Sequence, residues 1–396
     1  MISTTDISKV IAQLQGQVNE QDTSLIVAHL PALNERLDFL SGSFLKNTLH
    51  AIAVKTNPHP QMLKHLVDVG YGLEAASIEE VNMAIAAGCP ADKIVFDSPV
   101  KTRSEIDCVA GMTGMLVNVN SLGELDRFPS NPTCIVGIRV NPQVHTGAPE
   151  MFDVSRNESK FGVPVSNAEA ILEAALAHPV QALHMHSGSQ MKDLGVQRQA
   201  LISLKQLADQ VNAVEPGKIH TLDIGGGLPS ELLSDSTRMA EYGAIVQEIF
   251  TDSQYRLVTE FGQWVHAEAG FALSRVEYVL DQSRVFIHLG ADFFMRDAYT
   301  KARPFALNVW DDDGTQIKGL DHNFDVAGPL CFAGDYLAHG VALPADTSEG
   351  NWLSISSTGA NTYALWSRHC SRTVPKCIAF DGEKTTIWSE RTTINY

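Results

Sequence analysis

A lysine closes the apolar run "AIAVK" at residues 51–55, and two histidines sit two apart in "HMHSGSQ" at 184–190. Three glycines follow "LDI" in "LDIGGGLP" at 222–229, and a glutamate closes "RLVTE" at 256–260. Each offers a different chemistry. Burial of an amine at a strand end disfavours its ammonium form and lowers its pKa, which suits attack on a carbonyl. The plainer alternative is a lysine whose head snorkels to water. His184 and His186 fall on one face of a strand, either as a metal pair or as a flat imidazole stacked on an aromatic ring. A glycine loop after a strand offers bare N–H groups to phosphate, or is simply a tight turn. Ser189, in a second glycine-containing loop, adds a hydroxyl for the same anion.

These residues need a scaffold that gathers strand ends. Eight short β-rich segments recur: "HAIAVKTN", "YGLEAAS", "KIVFDSP", "GMLVNVN", "CIVGIRVNP", "ALHMHSG", "TLDIGGG" and "RLVTEFG". Between several of them, "PQMLKHLVDVG", "SIEEVNMAIAAGC" and "SNAEAILEAALAHP" carry apolar residues at three- and four-residue spacing, which predicts helices. Ser77 with Glu80, and Ser166 with Glu169, have the spacing of capping boxes. Apolar strands alternating with helices predict a parallel sheet. Eight such units fit a (β/α)8 barrel over 31–270, with an open doubly wound sheet as the alternative. In a barrel the C-terminal strand ends surround one mouth. Those ends carry Lys55, Glu74, Asp97, Asn120, Arg139, His184 with His186, Gly225 to Gly227, and Glu260.

After residue 270 the texture changes. "RVEYVLDQ", "RVFIHLG", "FALNVW", "NWLSISS" and "CIAFDGEKTTIWSE" read as strands with few helices between, and "DG" at 381–382 signals a tight hairpin. This predicts a mainly antiparallel β-domain over 271–396. "TSLIVAHL", within residues 1–30, reads as one more strand joining it from the other end of the chain.

The 396 residues carry a net charge of −17, which argues against general affinity for nucleic acid or anionic membrane. Any phosphate must be caught by backbone and a few local groups. No apolar stretch reaches the roughly 18 residues of a membrane span, and the N-terminus lacks the basic start and apolar run of a signal peptide. Six cysteines without a CxxC pair are expected to be reduced thiols in a cytoplasm.

An amine at a strand end, a phosphate cradle, a stacking imidazole and a carboxylate are together what pyridoxal 5'-phosphate asks of a protein. Glu260 would be the carboxylate on the ring nitrogen. From "AVKTNP" to "GANTY", the chain resembles the fold-type III pyridoxal-phosphate decarboxylases, the group of ornithine, arginine and diaminopimelate decarboxylases related to alanine racemase. "AVKTNP", "RVNP", "KFG", "HMHSGSQ", "LDIGGGLP" and "GPLCFAGD" occur in the family's order. The resemblance implies an alanine-racemase-like barrel with Lys55 as the Schiff-base lysine. It also implies His186 on the ring, Ser189 and Gly225 to Gly227 at the phosphate, and Arg139 among the cofactor contacts. It makes Cys331 the proton donor, reaching the site from the other subunit of an obligate homodimer.

Four positions depart from the family. "EFGQ" puts Gln263 where an arginine usually grips the phosphate, and "GAN" puts Asn361 where a tyrosine usually touches the cofactor, with Tyr363 two residues on to compensate. Losing a charge-assisted contact costs about 1.5–3 kcal/mol unless another donor takes over. Phe332 follows Cys331 where ornithine and diaminopimelate decarboxylases have an acid for the substrate's distal ammonium. "DFFMRDAYT" matches only loosely, leaving Arg296 and Tyr299 for an anionic substrate end. Asp335 is expected at the substrate or orienting its loop. Together these predict α-decarboxylation of an L-amino acid or conjugate with an anionic tail, as in the family's carboxylate-siderophore branch. Diaminopimelate decarboxylation, a racemase, and a non-catalytic binding homologue are the rivals.

Overall fold

The computed structural model describes residues 2–145, 147, 150, 153–189, 191, 193–228, 236–295, 297 and 305–392. The chain divides into two compact units, Leu37–Trp264 and Met1–Arg36 with Val265–Tyr396.

The first unit is a closed parallel barrel. Its strands are Leu49–Ala53, Gly72–Ala75, Ile94–Phe96, Leu116–Val119, Ile135–Asn141, Val180–His184, Thr221–Asp223 and Arg256–Thr259. Each is parallel to the next, and the last pairs back onto the first through Val258 with Leu49. This closure rules out the open doubly wound sheet. Ala51, Val95, Leu116, Ala182 and Val258 form one buried cluster of the barrel, and Gly137 leaves room for the Asn118 amide, which any side chain there would strike.

Helices cover the strands because their apolar positions recur at helical spacing. Pro60–Asp68 buries Met62, Leu63 and Leu66 and starts with proline in its first turn, where no backbone donor is lost. Ser77 caps Ile78–Ala86 by accepting the Glu80 amide. Ser166 does not cap its helix: Ala168–Ala177 begins after Asn167, with no side-chain cap. A reciprocal capping box occurs instead at Thr102 and Glu105, the N-cap and third residue of the helix Arg103–Ala110.

The second unit is a mixed, mainly antiparallel sheet. Ser24–His29 lies between Gly270–Leu280, antiparallel, and Lys376–Phe380, parallel. Period-two alternation sorts side chains into two cores. Phe271, Leu273 and Trp352 join Leu25, Val27 and Phe380 under the N-terminal helix, while Ala272, Leu353 and Ile355 join Val276, Phe293 and Val326. A tight turn with Gly382 at φ +104° connects Lys376–Phe380 to Thr385–Ser389. Among the described residues, no helix is long and apolar enough to cross a membrane.

Candidate active site

The first barrel strand stops at Ala53, and one 3-10 turn, Val54–Thr56, presents Lys55. The Lys55 side chain is 52% exposed, with Nζ 2.5 Å from Oε2 of the buried Glu74. Burial alone would lower the Lys55 pKa, as the sequence predicts. The carboxylates of Glu74, Glu260 and Asp97 reverse this and raise it, so the expectation of a lowered pKa is corrected. Burial, aided by Glu260 and Asp97 and opposed by Lys55, pushes Glu74 up to about 7.

The sixth strand ends at His184, which is fully buried between two carboxylates. Its Nδ1 lies 3.3 Å from Asp97 Oδ1, and its Nε2 lies 3.6 Å from Glu260 Oε2. Burial would lower its pKa, but Asp97, Glu260 and Asp223 raise it to about 10. Glu260 in turn is held below the usual carboxylate range: burial would raise it, and His184 overrides that. Arg139 Nη1 donates to Asp97 Oδ2 at 3.2 Å, and its guanidinium rests 4.5 Å from the Phe161 ring centroid. Asn120 fixes that segment by donating to the Lys160 carbonyl and accepting the Gly162 amide.

His186 lies past the strand, so the two histidines occupy different environments and do not form a matched pair. Its Nδ1 accepts the Gly226 amide at 3.2 Å. Burial, with Arg139, Lys55 and His184 nearby, lowers its pKa to about 3, so it is a neutral ring at any ordinary pH.

The glycine loop is shaped by its neighbours in the barrel. A Cβ on Gly225 would sit 2.6 Å from the Met185 carbonyl oxygen, and one on Gly226 would sit 2.6 Å from that of Glu260. A Cβ on Gly227 would strike the Gly188 carbonyl, and Gly225 and Gly227 have φ of +65° and +106°. Close backbone approach therefore requires glycine here before any ligand is considered. Gln263 begins a short helix directly after Gly262, which lies against Ala53 and Thr56 beside the Lys55 turn.

The remaining expected residues belong to the other unit. Cys331 is an exposed free thiol, and the Phe332 ring centroid lies 6.3 Å from that of His369. Asp335 does not face outward to a substrate. It is 4% exposed, and its carboxylate accepts the Ala291 amide at 2.6 Å and the Leu330 amide at 2.7 Å, tying down its own loop. Tyr363 packs at the edge of an apolar core, and burial raises its pKa. Asn361 has φ +58°, a left-handed conformation that asparagine tolerates better than most residues. Arg296 and Tyr299 lie outside the described residues.

A model of the pyridoxal-dependent decarboxylase pyridoxal-binding domain matches residues 32–268. The chain belongs to the pyridoxal-dependent decarboxylases. This decarboxylase is 29% identical over 361 residues to the diaminopimelate decarboxylase of Pseudomonas fluorescens, covering 87% of this chain and 84% of that one. It is 30% identical over 360 residues to that of Pseudomonas aeruginosa, with the same coverage. In fold it is similar to the Helicobacter pylori diaminopimelate decarboxylase complexed with L-lysine (TM-score 0.86, 22% identity, 96% of both chains). It is also similar in fold to the Paramecium bursaria Chlorella virus arginine decarboxylase (TM-score 0.78, 21% identity, 94% of this chain and 100% of that one). The decarboxylase is thus a pyridoxal-phosphate-dependent carboxy-lyase acting on an amino acid.

The residues present fit that cofactor. Glu260 Oε1 is buried without a hydrogen-bond partner, an acceptor left for one proton. Lys55 is half exposed beside it, and His186 is a neutral ring in the same cluster. Two participants were not singled out from sequence. Asp223, raised by burial and by Glu260, is hidden inside the glycine motif it precedes. Asn118, whose amide reaches 3.4 Å from Asp223, lies one residue before the last of its strand. The signal was available in strand parity, since both point inward.

Proposed function

We propose that Lys55 carries pyridoxal phosphate at the barrel mouth, and that the enzyme removes the α-carboxylate of an L-amino acid or conjugate with an anionic tail. The observation that supports the cofactor placement is the buried, unpartnered Glu260 Oε1 in the same charged cluster as the half-exposed Lys55 and His186. When bound there, the cofactor supplies an electron sink for the carbon that loses carbon dioxide.

The chain's own residues do the rest. Lys55 must lose a proton to act as a nucleophile, and Glu74 Oε2, 2.5 Å away, takes it. Glu260 would hold the ring-nitrogen proton, His186 would lie on the ring, and Gly225 to Gly227, Ser189 and Gln263 would receive the phosphate. Arg139 orders Asp97 behind them. A second copy of the chain completes the site: the partner subunit's Cys331 returns a proton to the substrate's α-carbon. Tyr363 is assigned to the cofactor, in place of the tyrosine missing at Asn361. Six free cysteines, with no disulfide, suit a reducing cytoplasm.

The anionic tail rests on Phe332. A buried ammonium needs a carboxylate partner, and this position offers an aromatic ring beside His369, with Arg368 adjacent in sequence. Arg296 and Tyr299 remain assigned to that tail from sequence. A second reading, decarboxylation of diaminopimelate, is favoured by the relatives at 25–30% identity.

The test is carbon dioxide release, with added pyridoxal phosphate, from lysine, ornithine, meso-diaminopimelate and a citryl–amino-acid conjugate. Release from the conjugate alone is the expected result. Release from meso-diaminopimelate overturns the anionic-tail reading in favour of the second. Silence on all four with the cofactor bound overturns both.

A further inference from the structure

His184 is a fully buried strand-end group set between two carboxylates. Its two ring nitrogens lie within ion-pair distance of carboxylates on different strands, 3.3 Å from Asp97 and 3.6 Å from Glu260, without the alignment of a hydrogen bond. Asp97 is itself anchored on its other oxygen by Arg139. The result is a row running Arg139, Asp97, His184, Glu260, in which positive and negative groups alternate and the last carboxylate keeps one oxygen unpartnered.

We infer that His184 is a positioning residue for the cofactor: charged and clamped between Asp97 and Glu260, it occupies Glu260 Oε2 and keeps Glu260 ionised, so that Oε1 alone is offered to the ring-nitrogen proton. This rests on the reading that Glu260 faces that nitrogen. A lone buried carboxylate would take up a proton itself and lose its grip on a ring N–H. An imidazolium at its back removes that option, because an opposite charge 3.6 Å away favours the ionised carboxylate.

The surrounding charges are consistent with this arrangement. Asp97, Glu260 and Asp223 face His184, and burial of the ring is outweighed by their combined field. Lys55 and Glu74 face each other on the neighbouring strand ends, and His186 beside Glu260 is neutral. Lys55 also feels Asp97 and Glu260, but His184 is the buried cation within 3.6 Å of both carboxylates. The donor atoms of Asp97, His184 and Glu260 lie within 4.8 Å of one another. With Arg139 also bonded to Asp97, a metal ion would enter a cluster already supplied with positive charge.

The experiment has two parts. In cofactor-free, 15N-labelled protein at about pH 8, well above the free imidazole value, the His184 ring is expected to be doubly protonated. A neutral ring overturns the inference, and this reading needs no variant. Separately, pyridoxal phosphate is titrated into wild type, His184→Gln and Glu260→Gln, each checked for folding by circular dichroism. His184→Gln is expected to bind roughly tenfold more weakly or worse, and to weaken further as pH falls, where wild type does not. If Glu260→Gln binds like wild type, the underlying reading of Glu260 fails. If Glu260→Gln is impaired while His184→Gln keeps wild-type affinity and pH profile, only the inference about His184 fails.

Discussion

The ammonium of Lys55 lies 2.5 Å from Glu74 Oε2, and the carboxylate is the more buried of the two. The contact keeps the resting lysine charged and, in the proposed reaction, supplies the acceptor for the proton it must lose. Glu74→Gln is expected to lower kcat roughly a hundredfold and, in the cofactor-free protein, to make Lys55 acylate faster at neutral pH. A variant with wild-type kcat and unchanged Lys55 reactivity would show that the contact is only an ion pair.

Asp335 anchors the loop that bears Cys331. Asp335→Ala leaves the buried amides of Ala291 and Leu330 without their acceptor, at a cost of about 2–4 kcal/mol. A lower melting temperature together with a fall in activity is expected. Unchanged melting would mean that those amides find other acceptors.

Gly227→Ala combines a left-handed φ with a Cβ against the Gly188 carbonyl, so it must distort both glycine-containing loops, at a cost of about 1–3 kcal/mol. Weaker binding of pyridoxal phosphate is expected even where the variant folds. Gly226→Ala instead presses on the Glu260 backbone, so its effect is expected in the visible spectrum of the bound cofactor. Identical behaviour of the two variants would contradict this division.

Burial lowers His50 and His59 to about 4, and His186 and His266 to about 3. The unfolded chain binds protons at these positions near 6.5, where the folded chain does not. Stability is therefore full above about pH 6.5 and falls as pH drops toward 4, by about 1 kcal/mol or more for each histidine by pH 5. His184 has the opposite sign: with its pKa raised to about 10, its contribution is full below about 6.5 and is lost as pH rises through about 10. Denaturant unfolding across this range, in wild type and His184→Gln, checks both limbs. The alkaline loss should be smaller in the variant.

The barrel was legible because its strands are short, apolar and separated by helical spacing, and strand ends then located Lys55, Glu74, Asp97, His184 and Glu260 by topology alone. The second unit was harder to read. "HNFDVA" and "YLAHGVAL" form strands at 322–327 and 336–343, yet both are only partly buried and carry polar residues off the alternating pattern. Partner choice within the site was also hidden. His184 looked like half of a pair with His186, but the strand ends between them, and Asp97 and Glu260, remote in sequence, lie 3.3 and 3.6 Å from its two nitrogens. The Lys55 pKa went the other way for the same reason: burial is visible in a local apolar run, whereas three carboxylates arriving from other strands are not. For Asp335 the sequence left two places open, at the substrate or orienting its loop; the amides of Ala291 and Leu330 match the second, and those partners are not legible in sequence.

The most direct test of the account is to reduce the cofactor-loaded enzyme with borohydride and map the pyridoxyl group by peptide mass spectrometry. The account predicts the label on Lys55, and its loss in Lys55→Ala. Labelling of a different lysine, or retention of the label in that variant, would contradict it.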